Sequence, residues 1–207
     1  MSDIVHRFDE CLKWSSDLSD EPAWVAFYKE RWPTMSRCVQ VIEDGWEQRH
    51  GIDRIVTLRT GQRFTIDEKK RDTTYDDVLL EIVHSRGFQR GQPYRRDTTD
   101  KVGWAVDMTK RCDYIVYTIH KRNLVYMMPF DLLRRTTRRM FQTWKKVRGA
   151  WPNASANDGY WSLNVSVSWV ELTRAMNEEM KSTWQRATPD LLWTDRSDDG
   201  QIEMVWE

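Results

Sequence analysis

Residues 51–71, GIDRIVTLRTGQRFTIDEKKR, decide how the chain folds, because two strand-like runs meet there at Thr60-Gly61. IDRIVTL and RFTIDEK are rich in β-branched and aromatic residues, and the glycine between them supplies a turn, so the stretch reads as a β-hairpin. Side chains of one parity share a face of a strand. Phe64 and Ile66 therefore point one way, while Arg63, Thr65, Asp67, Lys69 and Arg71 point the other. On the first strand Val56 and Leu58 match the apolar face, and Asp53, Thr57 and Arg59 match the polar one. Packing the apolar positions together makes Asp53, Asp67 and Lys69 neighbours, provided the connection has an odd length, such as a three-residue loop at 60–62 with a bulge. A two-residue loop instead sets Asp53 opposite Glu68 and makes Glu68 and Lys70 the relevant pair. The first register is preferred because it buries Phe64 and Ile66 without exposing Val56.

Two carboxylates that converge repel each other unless a cation lies between them, and a hard cation such as Mg2+ (or Mn2+) prefers oxygen ligands. A lysine beside that ion can stabilise a phosphate oxygen or orient a water. Asp, Asp and Lys together thus suit metal-assisted phosphodiester hydrolysis. The plainer reading is a solvated strand end with weak cross-strand ion pairs, and local composition alone favours it.

Upstream, DEPAWVAFYKERW from Asp20 has an acidic N-cap, a proline in its first turn and aromatics at helical spacing. A second helix is expected over 34–50, with Cys38, Val41, Ile42 and Trp46 on one face and Gly51 as its stop. Downstream, DVLLEIVHS (77–85) is a nearly continuous apolar run of the kind found in a central strand buried on both faces. Residues 86–100 read as an arginine-rich loop, 113–119 and LVYMMPF as strands, and DLLRRTTRRMFQTWKKV as a basic helix capped by Asp131. PNASANDG (152–159) reads as a loop, 160–169 as a strand and 170–185 as a last helix. The order is mixed α/β around a central sheet flanked by helices, without regular βαβ alternation. One domain is expected over 1–207, with N-terminal helices at 20–50, a core at 51–150 and a C-terminal strand and helix at 160–185.

A carboxylate on one strand, D-x-K on the next, a preceding helix bearing Glu and a following apolar strand together resemble the PD-(D/E)XK nuclease superfamily. The resemblance covers roughly residues 34–135 and implies a restriction-endonuclease-like core. Matched residue by residue, Asp53 takes the first metal-binding position; Asp67, or its rival Glu68, takes the second; and Lys69, or Lys70, takes the lysine. Glu43 or Glu47 fills the helical glutamate, and Glu81 on the next strand is either a structural partner or a further metal neighbour. The residue before Asp53 is Ile52 where the strongest form of the pattern has proline. The chain is also similar to small phage-encoded or prophage-encoded members that combine GxD, DEK-x-R, D-x-LLE, a DYIVY strand, MPF and LLRR. What the resemblance implies is a Mg2+-dependent endonuclease or exonuclease acting on DNA, two chains pairing to cut both strands being one arrangement. The alternative is a catalytically idle nuclease fold that binds nucleic acid or a host protein.

Thirty-two basic and thirty-two acidic residues give a formal net charge of zero, so any nucleic-acid contact must come from a local patch. Candidates are Arg71, the loop arginines Arg86, Arg90, Arg95 and Arg96, and the helix around Arg135, whose basic face is as readily a solvated surface. Cys11, Cys38 and Cys112 have no zinc or disulfide spacing, and no apolar run approaches a membrane span, so a soluble, cytoplasmic protein is expected. His84 and His120 lack triad or zinc partners, and no Walker loop, nucleophile elbow or dinucleotide fingerprint is present.

Overall fold

The computed structural model describes residues 21–41, 45–71, 74–85, 100–122, 124–148, 151–157 and 160–187. The architecture is mixed α/β: two sheets and flanking helices enclose a shared core. Helix α1 (Glu21–Arg31) leads into β1 (Met35–Gln40), a short helix α2 (Trp46–Arg49), and the hairpin of β2 (Arg54–Leu58) and β3 (Arg63–Arg71). Strands β4 (Asp77–Ser85), β5 (Lys101–Val102), β6 (Tyr114–Ile119) and β7 (Leu124–Pro129) follow. Helix α3 (Phe130–Arg148), strands β8 (Trp151–Asn157) and β9 (Tyr160–Ser168), and helix α4 (Trp169–Ala187) complete the described chain.

The first sheet runs β1-β2-β3-β6-β7 and the second β5-β4-β9-β8. In the first, β3 and β6 are parallel and the remaining neighbours antiparallel. Central strand β6 is buried on both faces: Val116 packs toward α1, while Ile115, Tyr117 and Ile119 enter the main core. Helix α1 lays Trp24 and Tyr28, one turn apart, over Val56, Ile66 and Val116. The aromatic stack continues from Tyr28 to Trp32 (6.0 Å) and from Trp32 to Phe64 (5.0 Å). Fully burying such a ring contributes about 1.5–3 kcal/mol, so this aromatic face is one of the contacts that hold the hairpin.

Three sequence expectations are corrected. Instead of a helix over 34–50, the chain forms strand β1 and the four-residue α2. The helical spacing of Cys38, Val41 and Trp46 is overridden by the open edge of β2, to which β1 bonds from Met35↔Leu58 to Gln40↔Arg54. DVLLEIVHS lies not in the sheet of the hairpin but in the second sheet, between β5 and β9. Its Val78, Leu80 and Ile82 enter the core, while Leu79 and Glu81 line a cavity on the other face. Finally, 151–157 is a strand and not a loop; its Pro152 is tolerated because β8 is a sheet edge, where a missing N–H breaks no ladder.

Helix α3 buries Leu133, Thr137 and Trp144 at helical spacing, and α4 buries Leu172, Ala175, Met176 and Glu179. Among the described residues no helix is long and apolar enough to cross a membrane. Residues 86–99, which carry the four loop arginines, the candidate Glu43 and the residues beyond 187 lie outside the described residues.

Candidate active site

The hairpin closes through Arg59, Thr60 and Gly61: Leu58 N–H donates to Gln62 O (2.8 Å), Gly61 N–H donates to Leu58 O (2.9 Å), and Gly61 takes a positive φ of 86°. This odd-length loop sits one residue earlier than the sequence suggested, but it keeps the same parity. Val56 pairs with Phe64 and Arg54 with Ile66, so one face of the hairpin turns toward α1. Asp53 directly precedes β2, and its N–H donates to Ile66 O (2.8 Å), which extends the ladder to the level of Asp67.

Asp53, Asp67 and Lys69 meet on the face away from α1. Glu68 N–H donates to Asp53 Oδ2 (2.8 Å), fixing that carboxylate beside Asp67. Asp67 is 1% exposed; Lys69 Nζ pairs with its Oδ1, and Lys110 Nζ lies 2.6 Å from its Oδ2. Burial pushes the Asp53 carboxyl up to about 6, the adjoining Asp67 adds to the rise, and Lys69 and the Glu68 N–H only partly offset it. Burial acts the same way on Asp67, but the two lysine charges prevail and hold it below the usual carboxylate range. For Lys69, burial opposes the charge and the Asp67 and Asp53 carboxylates outweigh it, so its ammonium is held more firmly than normal.

Glu68 and Lys70 are not brought to this pair. Glu68 Oε1 accepts from Arg54 Nε (2.6 Å) and from the Tyr28 hydroxyl (2.8 Å), and Lys70 Nζ stands 5.7 Å from the Trp24 ring centroid. The rival register therefore describes a buried structural network beneath α1, in which Arg54 is fully covered. Glu47 sits half-buried on α2, where its carbonyl accepts from Ile52 N–H (2.9 Å) and so steers the chain into β2. Glu81 accepts from Ser162 Oγ (2.9 Å) across the second sheet. Among the described residues no group of three or more His, Cys, Asp or Glu side chains is arranged to hold one ion, so Glu47 and Glu81 do not join Asp53 and Asp67 as a set.

Of the basic candidates, the two among the described residues, Arg71 and Arg135, are already engaged. Arg71 pairs with Asp77, which also accepts from Ser166. Arg135 contacts Asp131 (2.5 Å) and Glu179 (3.8 Å), and Arg139 reaches Glu179 (2.8 Å), so part of the basic face of α3 serves as a seam to α4.

Lys110 was not foreseen from the sequence. It lies 43 residues beyond Asp67, in the irregular segment before β6, and no local pattern marks it. Several bonds hold the segment in place, among them Arg111 N–H donating to His50 O (2.9 Å), Thr65 N–H donating to Asp113 Oδ2 (2.7 Å) and Asp113 N–H donating to Thr65 O (2.8 Å). Gly51, at φ 70°, makes room for the side chain, because a Cβ there would lie 2.2 Å from Lys110 Nζ.

No protein-family model matches the chain, and no curated protein matches it. Among solved structures it is similar to a bacterial homing endonuclease, I-Ssp6803I, with 16% identity and a TM-score of 0.36, over 59% of this chain and 72% of that chain.

Proposed function

We propose that the protein is a metal-dependent nuclease of PD-(D/E)XK type that hydrolyses DNA phosphodiester bonds. The observation that carries this reading is the meeting of Asp53 and Asp67 on one face of the hairpin, with Lys69 beside them and the Asp53 carboxyl raised to about 6. A carboxylate held uncomfortably near another is a place where a cation is welcome. The residues fit Mg2+ or Mn2+: both donors are hard oxygens, and Mg2+ is commonly held by one or two carboxylates, with water and phosphate oxygens completing its shell. Such an ion supplies a Lewis acid and a more acidic bound water. Asp53 and Asp67 would hold it, and Lys69 would stabilise charge on the phosphate or orient the attacking water.

The test is incubation with supercoiled, linear and single-stranded DNA, with and without Mg2+ or Mn2+. Metal-dependent cutting that disappears in the double variant Asp67→Ala, Lys69→Ala is expected. Absent cutting, or cutting that survives the double change, overturns the reading.

A second reading has its own support. Each oxygen of Asp67 is taken by a lysine, and an ion cluster that satisfies itself suits an idle nuclease fold that binds nucleic acid or a protein partner. Calorimetric titration with Mg2+ separates the two readings: only the nuclease should bind the ion in a manner that Asp53→Asn weakens.

A further inference from the structure

The polar face of the second sheet lines a cavity of about 310 Å³ beside Lys69. Its floor is the cross-strand pair Glu81 and Asn164, with Ser162 next to them, and Lys69, Arg71 and Trp104 also border it. Two features of this floor are out of keeping with a purely structural role. Glu81 is half-buried, yet among the described residues its carboxylate has one hydrogen bond, from Ser162, and no ion pair. Asn164 is 7% exposed, and among the described residues its side chain makes one bond, donating to Ser162 O (3.2 Å). Buried polar groups normally use more of their capacity, and a carboxylate beside an amide offers acceptors and a donor side by side.

The backbone holds Trp104 beside that floor. Gly103 N–H donates to Ile82 O (2.9 Å) and Ala105 N–H to Glu81 O (3.1 Å), so the tryptophan is bracketed by bonds to β4. Gly103 permits the approach, because a Cβ there would lie 2.3 Å from Glu81 O. Lys69 Nζ stands 5.8 Å from the Trp104 ring centroid, which connects the cavity to the carboxylate pair.

We propose that this cavity binds a nucleobase carrying an exocyclic amino group, adenine, cytosine or guanine, stacked on Trp104 with its amino group donating to Glu81 and its phosphate side toward Lys69. The assignment deepens the nuclease reading and rests on it for the origin of the base in a DNA strand. A carboxylate accepts from the amino group of adenine (N6), cytosine (N4) or guanine (N2), whereas thymine has no amino group and offers only its ring N–H. The aromatic face supplies sequence-tolerant stacking.

The test is calorimetric titration of the full chain in EDTA with dCMP, dAMP, dGMP and dTMP, and with short oligo-dC and oligo-dT. No cleavage is involved, so its failure is distinct from failure of the nuclease reading. Amino-bearing bases should bind about tenfold more tightly than thymine, and Glu81→Gln, which keeps the bond from Ser162, should erase that ratio. Trp104→Leu should weaken all bases by about tenfold while leaving the ratio intact. Discrimination in the oligonucleotides identifies a strand base as the occupant, and discrimination confined to the monophosphates identifies a free nucleotide. Equal binding of all four bases, no binding, or a ratio unchanged by Glu81→Gln overturns the proposal.

Discussion

Lys110 Nζ lies 2.6 Å from Asp67 Oδ2, in space that exists because residue 51 is glycine. A conformational requirement and a chemical one coincide at Gly51: its φ is 70°, and a Cβ would lie 2.2 Å from the ammonium. Gly51→Ala should cost about 1–2 kcal/mol through the backbone alone. Because Lys110 is flexible, it should swing away instead of blocking folding, leaving Asp67 with one cation. Urea unfolding of Gly51→Ala, Lys110→Met and the double variant checks this. The double variant should be less destabilised than the sum of the single changes, since both remove the same contact.

The parity of the hairpin was legible because it depends on local alternation. Phe64 and Ile66 had to be inside, and that choice put Asp53, Asp67 and Lys69 on one face and left Glu68 and Lys70 to the other. Strand β1 was not legible, since its edge pairing to β2 outweighs a helical spacing of apolar residues that is real in the sequence. Nor was Lys110, whose place depends on a loop pinned by Asp113 and His50. The apolar run of β4 announced a strand but could not say which sheet it joins, because either side of the core would bury Val78, Leu80 and Ile82 equally well.

The two site carboxylates should act on stability in separate pH windows. Asp53, raised to about 6, binds its proton more tightly folded than unfolded, so its contribution is fullest below about 4 and is lost as pH rises through 6. Between the ordinary carboxylate value and about 6, that contribution amounts to about 3 kcal/mol. Asp67 is held low, so its contribution is present above the ordinary carboxylate value and is lost only as the solution becomes more acidic than that. Thermal unfolding without divalent ions, followed from pH 4 to 7, should show a decline that Asp53→Asn removes. An unchanged profile in Asp53→Asn would mean that another group carries it.

Gly103→Ala should be markedly destabilising even though an alanine is the smallest change available. The added Cβ would meet Glu81 O at 2.3 Å and Glu81 C at 2.4 Å, both backbone atoms that cannot swing aside. Either β5 separates from β4 or the ladder shifts, and the Trp104 wall moves with it. Comparing Gly103→Ala with Gly61→Ala checks the mechanism, since a Cβ at Gly61 meets nothing within 4 Å and the strain there is only that of its positive φ. The Gly103 variant should lose more stability than the Gly61 variant.

Glu68 and Asp67 are adjacent in sequence and should differ sharply in what their loss does. Glu68 bonds Arg54, which is fully buried, and the Tyr28 hydroxyl, so Glu68→Ala removes a carboxylate from beside a buried cation. Breaking one side of a buried pair costs about 3–5 kcal/mol, whereas replacing both partners by apolar residues of like size is often neutral. Glu68→Ala should therefore unfold at much lower denaturant, and Glu68→Leu with Arg54→Met should recover most of the loss. Asp67→Asn keeps an acceptor for only one of the two lysines, but Lys69 and Lys110 are partly exposed where Arg54 is fully buried, so the released ammonium can turn to solvent and the fold should be retained while any Mg2+ binding and DNA cleavage are lost. If Glu68→Ala proves as stable as the parent, the network beneath α1 does not hold the hairpin, and the face assignment of Glu68 fails with it.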